Sequence, residues 1–552
     1  MQLRSPVVTS IVLLAGSLLA GLGFCALLPP FEGFDETAHY SYIAQVAQTG
    51  TWPRVNGPMS SELDGYFKVA PTPMVAPWSY HAFFAASPAV RNAGAEAIHG
   101  PRDPTRPWRD SPMTNWEGQQ PPVYYTLLAP LWLASKGWSL YAQLFLLRAV
   151  SYFFAWSALV IVTISMAREP LGSETSMIAP GLWPALFPMW FPEMARLGND
   201  SLTLLLLALA WIPVCRGLRP GRHVAAFALA GALSGLAIVT KAIALPFAGA
   251  VGLFLAWRLW SARRDAVLRS TALLQLLVFG LAILAVSGWW FAYSLAVNGS
   301  PYVSESAILL AQKGGLLAGL GKNFSLVKTM IVLAEEVRSF AWSGSWSFIF
   351  LPRTLEAPLT LLVLVIAGGW IWQTARNGRL RGDEAIVLLT LGFFAVGIVW
   401  EFLIRVALIN EFQLGAWYFH VLLPLLAPMV AQGLDEMVLW RRARLLTGAL
   451  VVYPLPFLLF VTAFYQFYFA GCLPEATGLR RYSLDIIAAC AANAREVVGN
   501  LAVLGRPSLA MPLFLAGWLA MLVGVGRFVG PRFLNTRSPR RMDKHAALRA
   551  TK

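Results

Sequence analysis

Residues 7 to 40 read VVTSIVLLAGSLLAGLGFCALL followed by PPFEGFDETAHY. The first part is an apolar run of the length that crosses a bilayer, roughly 20 residues. The second part sets three carboxylates, Glu32, Asp35 and Glu36, and the imidazole of His39 just beyond its end, among aromatic residues. Carboxylates pressed against rings are costly to desolvate, and groups in that condition cluster where chemistry is done. The apolar core exceeds the roughly 7–15 residues of a signal-peptide core, so it is read as an uncleaved first span.

Composition extends this reading to the whole chain. Of 552 residues, 57% are hydrophobic and only 13% charged, and mean hydropathy is +0.59. Those values exclude an ordinary soluble enzyme and describe a polytopic membrane protein. The net charge of +15 falls in short clusters between apolar runs: 216–222, 258–269, 376–381, 441–444 and 532–552. Without an aromatic platform or basic helix beside them, such clusters are cytoplasmic topology signals rather than a nucleic-acid surface.

Placing every cluster inside predicts an all-α integral membrane fold of about twelve transmembrane helices. The spans fall near 7–28, 141–166, 177–195, 200–215, 223–240, 243–260, 270–297, 357–374, 385–408, 416–433, 446–468 and 509–528. Both termini are then cytoplasmic, and Val123 to Ala134, short and broken by Pro130, is an interfacial or re-entrant helix. One membrane domain covers 1–530, with outer loops at 29–140, 298–356 and 469–508, and 531–552 is a basic cytoplasmic tail. Cys472 and Cys490 share the last outer loop, where a disulfide can form.

The first outer loop is the richest in candidate groups. Asp35 to Gln48 has helical character, closed by Gly50 and Pro53, so Asp35 and His39 share a face with Tyr42 nearby. Asp35 is also a favoured N-cap residue. Asn199 and Asp200 open a helix on the same side, with Asp200 or Ser201 able to cap it. Lys241 stands at the outer end of a span without a basic cluster around it. Arg405 lies in the outer third of its helix one turn after Glu401, and an ionisable pair at that depth usually faces a cavity. His420 reads as a helix-packing residue.

Five motifs in order carry a resemblance: Pro30-x-x-x-x-Asp35-Glu36-x-x-His39-Tyr40, Gln120-Pro121-Pro122-Val123-Tyr124-Tyr125, Gly198-Asn199-Asp200-Ser201, Gly235-Leu236-Ala237-x-x-Thr240-Lys241, and Gly288-Trp289-Trp290 leading to Asn298-Gly299. Together they resemble the GT-C superfamily of membrane glycosyltransferases, whose best-known members are protein O-mannosyltransferases and lipid A aminoarabinose transferases. Residues 339–344 and 415–418 are similar to later features of bacterial relatives, with Ala416 and Trp417 where the pattern has Gly-Arg-Tyr.

The resemblance implies transfer of a sugar from a polyprenyl-phosphate donor to an extracytoplasmic glycan, lipid or protein acceptor at the plasma (inner) membrane. It makes Asp35 the general base, with Glu36 and His39 as further catalytic candidates. Lys241 and Arg405 become donor-phosphate ligands on grounds of depth and side, and Asn199, Asp200, Tyr40 and Tyr124 become supporting residues. In family members that use a divalent metal, Mg or Mn, the matching ligands are Asp35 and Glu36; no other cofactor is implied. Two other classes share the topology. A lipid-glycan polymerase or ligase of the O-antigen type needs outer-loop arginines, for which Arg338 and Arg353 are available. A transporter needs charged or broken helices near the midplane and often an internal repeat, and no repeat is visible.

Overall fold

A computed structural model describes residues 5–534 except 74–77, 169–172, 220, 222, 304–307, 309, 311, 313, 348, 350, 379, 411–414 and 474–482. The tail expected at 531–552 is therefore described only to Leu534, and parts of the outer stretches 298–356, 409–415 and 469–508 lie outside the described residues. The chain is helical, with a single two-stranded antiparallel ribbon of Pro58–Ser60 and Asp110–Thr114 among the described residues.

Among the described residues, ten helices are long and apolar enough to cross a membrane: Ser5–Leu27, Leu140–Ala167, Asp200–Gly217, Ala242–Ser261, Ala266–Asn298, Arg353–Asn377, Gly382–Ile409, Ala416–Leu439, Arg444–Phe469 and Pro507–Leu534. Each coincides with an expected span. The remaining two take other forms. The stretch expected at 223–240 is the shorter helix Val224–Ile238.

The stretch expected at 177–195 is not one helix. It stops at Leu186 and restarts as Trp190–Met194. Pro188 is the cause, because proline pushes the residue before it out of the helical region, and Phe187 has φ −125 and ψ 85. The backbone freed at the break is satisfied by protein, with the Met189 amide donating to the Ala341 carbonyl at 3.0 Å. Two further helix pairs, Leu316–Asn323 with Leu326–Ala341 and Asp485–Ala492 with Ala494–Leu504, bend by 97° and 81° in stretches expected outside the bilayer. Leu326, Val327, Met330 and Ile331 expose an apolar face on the first pair, as an interfacial helix does.

The first and last spans close the molecule by backbone contact. A Cβ on Gly517 would lie 2.1 Å from the Ala20 amide nitrogen, so only glycine permits the approach, and such small-residue seams drive helix pairing where no hydrophobic effect operates. The expected pair Cys472 and Cys490 forms a disulfide that ties the end of Pro454–Phe469 to Leu484–Ala492.

Where the chain leaves the first span, one buried cation organises the turn. Arg148, from the helix Leu140–Ala167, is 1% exposed. Its Nη1 donates to the carbonyls of Leu28 at 2.7 Å and Cys25 at 3.1 Å, and its Nη2 to that of Pro29 at 2.8 Å. The carbonyls left over at a helix C-terminus need such donors. The rest of the guanidinium grips Glu36 in a fork, with Nε 2.7 Å from Oε1.

Glu32 makes a second clasp without any cation. It accepts from Tyr80 Oη at 2.8 Å, from the Ser347 amide at 3.0 Å and hydroxyl at 2.9 Å, and from the Ser345 hydroxyl. Burial pushes its carboxyl upward while these donors pull it back. The two clasps pin the loop 29–140 to the second span and to the stretch 345–347.

Replacing Arg148 with Met strands a buried carboxylate, a loss of about 3–5 kcal/mol. The expected outcome is a clearly lowered melting midpoint, partly restored by adding Glu36→Gln; a single variant that melts like the parent would remove the clasp. For topology, cysteines at the exposed positions Asn92 and Ser261 test the sides. Asn92→Cys should react with an impermeant thiol reagent from outside, and Ser261→Cys only after permeabilisation.

Candidate functional site

Asp35 has φ 56 and ψ 12, and Phe31 four residues earlier has φ 65. Aspartate tolerates the left-handed region better than most residues, and two such positions so close mark backbone held by its surroundings. Asp35 occupies the N-cap position of the helix Glu36–Thr49 but makes no side-chain cap bond, so capping does not account for it. Its Oδ1 accepts from Trp116 Nε1 at 2.7 Å instead.

Trp116 and Glu117 come from a short 3-10 turn, Trp116–Gln119. Asn115 fixes that turn, since its side chain accepts from the Glu117 amide at 3.0 Å and donates to the Ala38 carbonyl at 3.2 Å. The loop 29–140 thus folds back on itself, and residues eighty apart in sequence meet at one carboxylate.

Glu117 was not singled out in the sequence. It is buried, it accepts from Tyr125 Oη at 3.4 Å, and its Oε2 lies 3.8 Å from His39 Nδ1. Burial, reinforced by the nearby charge of Asp35, pushes its carboxyl up to about 8. Burial also raises Asp35, but Arg196 and the Trp116 N–H oppose it. Two carboxyls that repel one another share protons unequally. The indole N–H favours the charged form of Asp35, and Glu117 is the carboxyl pushed up to about 8.

His39 is buried, with Nδ1 2.9 Å from Tyr125 Oη and Nε2 3.5 Å from Arg196 Nη1. Arginine only donates, which assigns the acceptor role to Nε2 and the proton to Nδ1. Burial holds the ring well below the usual histidine range, aided by the charges of Arg196 and Lys241. His39 is therefore a neutral, oriented group, with its proton directed through Tyr125 towards Glu117.

Arg196 was also missed. Lying just past Trp190–Met194, it reads in sequence as one more arginine. In the structure it is 2% exposed and donates to Glu193 at 2.8 Å, Asp200 at 2.7 Å and the Phe34 carbonyl at 2.9 Å. Asp200 is shared, because Lys241 Nζ lies 2.7 and 2.8 Å from its two oxygens. The ammonium also sits 5.1 Å above the ring of Tyr418. Arg405 contacts Glu401 at 3.3 Å and is half exposed, and its charge reaches Asp35 together with those of Arg196 and Lys241.

Rings wall the carboxylate. Phe34 stacks on Trp417 at 5.3 Å and 4°, Trp116 lies parallel to Trp346 at 6.4 Å, and Trp346 meets Phe34 edge-on at 5.9 Å. Four separate parts of the chain contribute these residues.

The other expected site residues separate from Asp35. Both oxygens of Glu36 are committed, to Arg148 and to the Leu197 amide at 2.9 Å, so its part is structural rather than catalytic. Glu36 therefore has no oxygen left for the expected Mg or Mn, so the expected Asp35 and Glu36 pair does not form a two-carboxylate cation site; Asp35 commits one oxygen to the Trp116 indole. Among the described residues no group of three or more His, Cys, Asp or Glu side chains could hold a metal ion. Tyr40 donates to Gln143 at 2.7 Å and accepts from Arg102 at 2.6 Å on another flank of its helix. Tyr124 pairs with Ser151 at 2.6 Å and packs the helix Val123–Ala134 on the second span; its neighbour Tyr125 is the one in the site.

Asn199, not Asp200 or Ser201, holds the N-cap position of Asp200–Gly217, without a side-chain cap bond. Its amide nitrogen lies 3.4 Å from Tyr125 Oη and 3.2 Å from the Thr240 carbonyl. His420 bridges Trp183 at 2.9 Å and the Phe340 carbonyl at 3.0 Å, a packing role. Arg338 is paired with Glu335 and Glu356, and Arg353 with Glu335.

No family model matches the chain, and no curated protein matches it. It is similar to several solved structures. ArnT from Cupriavidus metallidurans bound to undecaprenyl phosphate is 16% identical at a TM-score of 0.43, over 95% of this chain and 78% of that one. Arabinosyltransferase EmbB from Mycobacterium smegmatis is 14% identical at 0.38, over 93% and 41%. The archaeal oligosaccharyltransferase AglB from Archaeoglobus fulgidus, in complex with an inhibitory peptide and a dolichol-phosphate, is 12% identical at 0.34, over 92% and 56%.

The raised carboxyl of Glu117 has a measurable consequence. A group that binds its proton more tightly folded than unfolded stabilises the fold at low pH and loses that contribution as pH climbs from its ordinary 4.5 through about 8. Stability should therefore fall over that window, and Glu117→Gln should flatten the slope. Parallel melting curves for parent and variant across the window would refute the assignment of the proton to Glu117.

Proposed function

We propose that this chain is a membrane glycosyltransferase that moves a sugar from a polyprenyl-phosphate donor to an acceptor hydroxyl or amine on the extracytoplasmic side, with Asp35 as general base. The observation that carries the reading is a single half-buried carboxylate, held on one oxygen by an indole N–H, walled by rings and faced by Arg196, Lys241 and Arg405. Displacement at an anomeric carbon needs that combination. As the acceptor atom bonds to the anomeric carbon, its proton passes to Asp35 and the bond to the lipid phosphate breaks, its electron pair leaving with the phosphate. A single displacement inverts configuration.

The departing phosphate gathers negative charge, and preorganised cations stabilise it. Lys241, aimed by Asp200 and Tyr418, and the half-exposed Arg405 take that role, while Arg196 is enclosed and positions Asp200, Phe34 and His39. Glu117, holding a proton, leaves Asp35 as the one charged carboxylate beside the acceptor. Asn199 and Tyr125 hold the turn behind it. The order of the five motifs supports the same class.

The extracytoplasmic placement rests on the basic clusters, which put both termini inside the plasma (inner) membrane, and on the Cys472–Cys490 disulfide, a bond kept in oxidising compartments. The acceptor, whether glycan, lipid or protein, meets Asp35 from that side.

Asn is the informative replacement for Asp35, because it keeps the left-handed backbone and an acceptor for Trp116 while removing the base. With a labelled polyprenyl-phosphate sugar, Asp35→Asn should lower transfer by about 10²–10⁴-fold without lowering the melting midpoint. Parental turnover would discard Asp35 as the base. Lys241→Met and Arg405→Lys should each weaken donor binding, the latter because an ammonium lacks the planar fork. Unchanged affinity for polyprenyl phosphate in both variants would remove them from the donor site.

A further inference from the structure

The first outer loop holds a cleft of about 400 Å³ that the chemistry above does not use. It lies between the helices Glu62–Val69 and Pro88–His99, the segment 100–107 and the start of the second span. The helix Glu36–Thr49 divides it from Asp35. His39 looks to Tyr125 and Arg196, whereas Tyr40 and Gln48 line the cleft. Gln48 is nine residues beyond His39, two and a half turns at 3.6 residues per turn, hence on the opposite side of the helix. The volume is within the roughly 300–1,000 Å³ of small-molecule sites.

The floor is built and held. Arg102 pairs with Glu62 and donates to the Tyr40 hydroxyl at 2.6 Å, to the Gln143 side-chain oxygen and to the Trp138 carbonyl at 2.8 Å. Around that fixed base are groups with unused capacity. Gln48 Oε1 is buried without a hydrogen-bond partner, a condition that costs free energy unless something donates to it. The side chains of Glu96 and Lys136 have no hydrogen bond among the described residues. Among the described residues Asp103 uses one oxygen for Thr105 and leaves the other open, and the Arg106 side chain reaches the Ser61 carbonyl at 3.5 Å.

The charges lining the cleft balance. Three carboxylates, Glu62, Glu96 and Asp103, face three cations, Arg102, Arg106 and Lys136, so no net charge favours an ion of either sign. What remains is an array of donors and acceptors in alternation, which matches a ligand whose every polar group both donates and accepts. A sugar hydroxyl is such a group.

We propose that this cleft binds a neutral carbohydrate unit of the acceptor, held on the far flank of the helix Glu36–Thr49 while the reacting atom lies at Asp35. The word acceptor rests on the transferase reading above; the cleft and its ligand class do not.

The test uses the full chain in detergent and cellobiose as probe, with glucuronate and glucosamine as charged controls, titrated by saturation-transfer NMR. Cellobiose should bind saturably and better than either control. Gln48→Leu, and separately the rim pair Glu96→Gln with Lys136→Met, should weaken it by about tenfold, the effect of roughly one lost hydrogen bond, with melting midpoints near the parent's. Asp35→Asn should leave it unchanged. Absence of saturable cellobiose binding, equal binding by both cleft variants, or preference for a charged sugar overturns the proposal. Since the titration needs no donor turnover, failure of the transferase reading would show as no transfer of the labelled sugar by the parent chain with cellobiose binding intact.

Discussion

The fork between Arg148 and Glu36 is the constraint on which the loop 29–140 and the candidate site depend. A guanidinium and a carboxylate withdrawn from water are tolerated only when every donor and acceptor is matched, and here the matching is complete. The same arginine satisfies the carbonyls at the end of the first span, so the direction in which the chain leaves the membrane is fixed by one side chain of the second span. Asp35 precedes Glu36 by one residue. Its left-handed backbone, and so the direction of its carboxylate, is set by a neighbour that does no chemistry.

A second layer of organisation is electrostatic. Glu193, Arg196, Asp200 and Lys241 form one chain of ion pairs running from the broken helix after the second span to the outer end of Val224–Ile238. Next to it lie two carboxyls, Asp35 and Glu117. Uncompensated negative charge in so enclosed a place is expensive, and protonation of the weaker-held carboxyl relieves it. The Trp116 N–H selects which one. In the proposed reaction Asp35 is the base and the cations of this chain face the departing phosphate.

Helix breaks and bends bring distant stretches of the chain to the loop 29–140. Pro188 interrupts the stretch 177–195, and at the break the Met189 amide donates to the Ala341 carbonyl while the Met189 sulfur accepts from the Ser343 amide. That joins the second outer stretch to the site, together with the Glu32 clasp on Ser345 and Ser347. The cleft beyond the helix Glu36–Thr49 shares this scaffold, because Tyr40 and His39 are consecutive residues turned to different sides.

Membrane class, the positions of ten spans and the helix after Asp35 were legible in the sequence, because a bilayer admits only long apolar helices and their boundaries show as changes in composition. Asp35, His39, Asn199, Asp200 and Lys241 were legible as polar residues at the outer ends of such runs. Pairing was not. Glu36 looked as eligible as Asp35 until Arg148, 112 residues away, was seen to occupy it. Tyr40 and Tyr124 matched motifs as well as their neighbours did, yet one faces Arg102 and the other Ser151. Arg196 and Glu117 carried no signal, since an arginine after a short helix and a glutamate in a loop are common. Only the folded chain decides which charges meet, because hydropathy reports the depth of a residue along the membrane normal, while the side to which it turns and the partner it finds depend on contacts between distant segments.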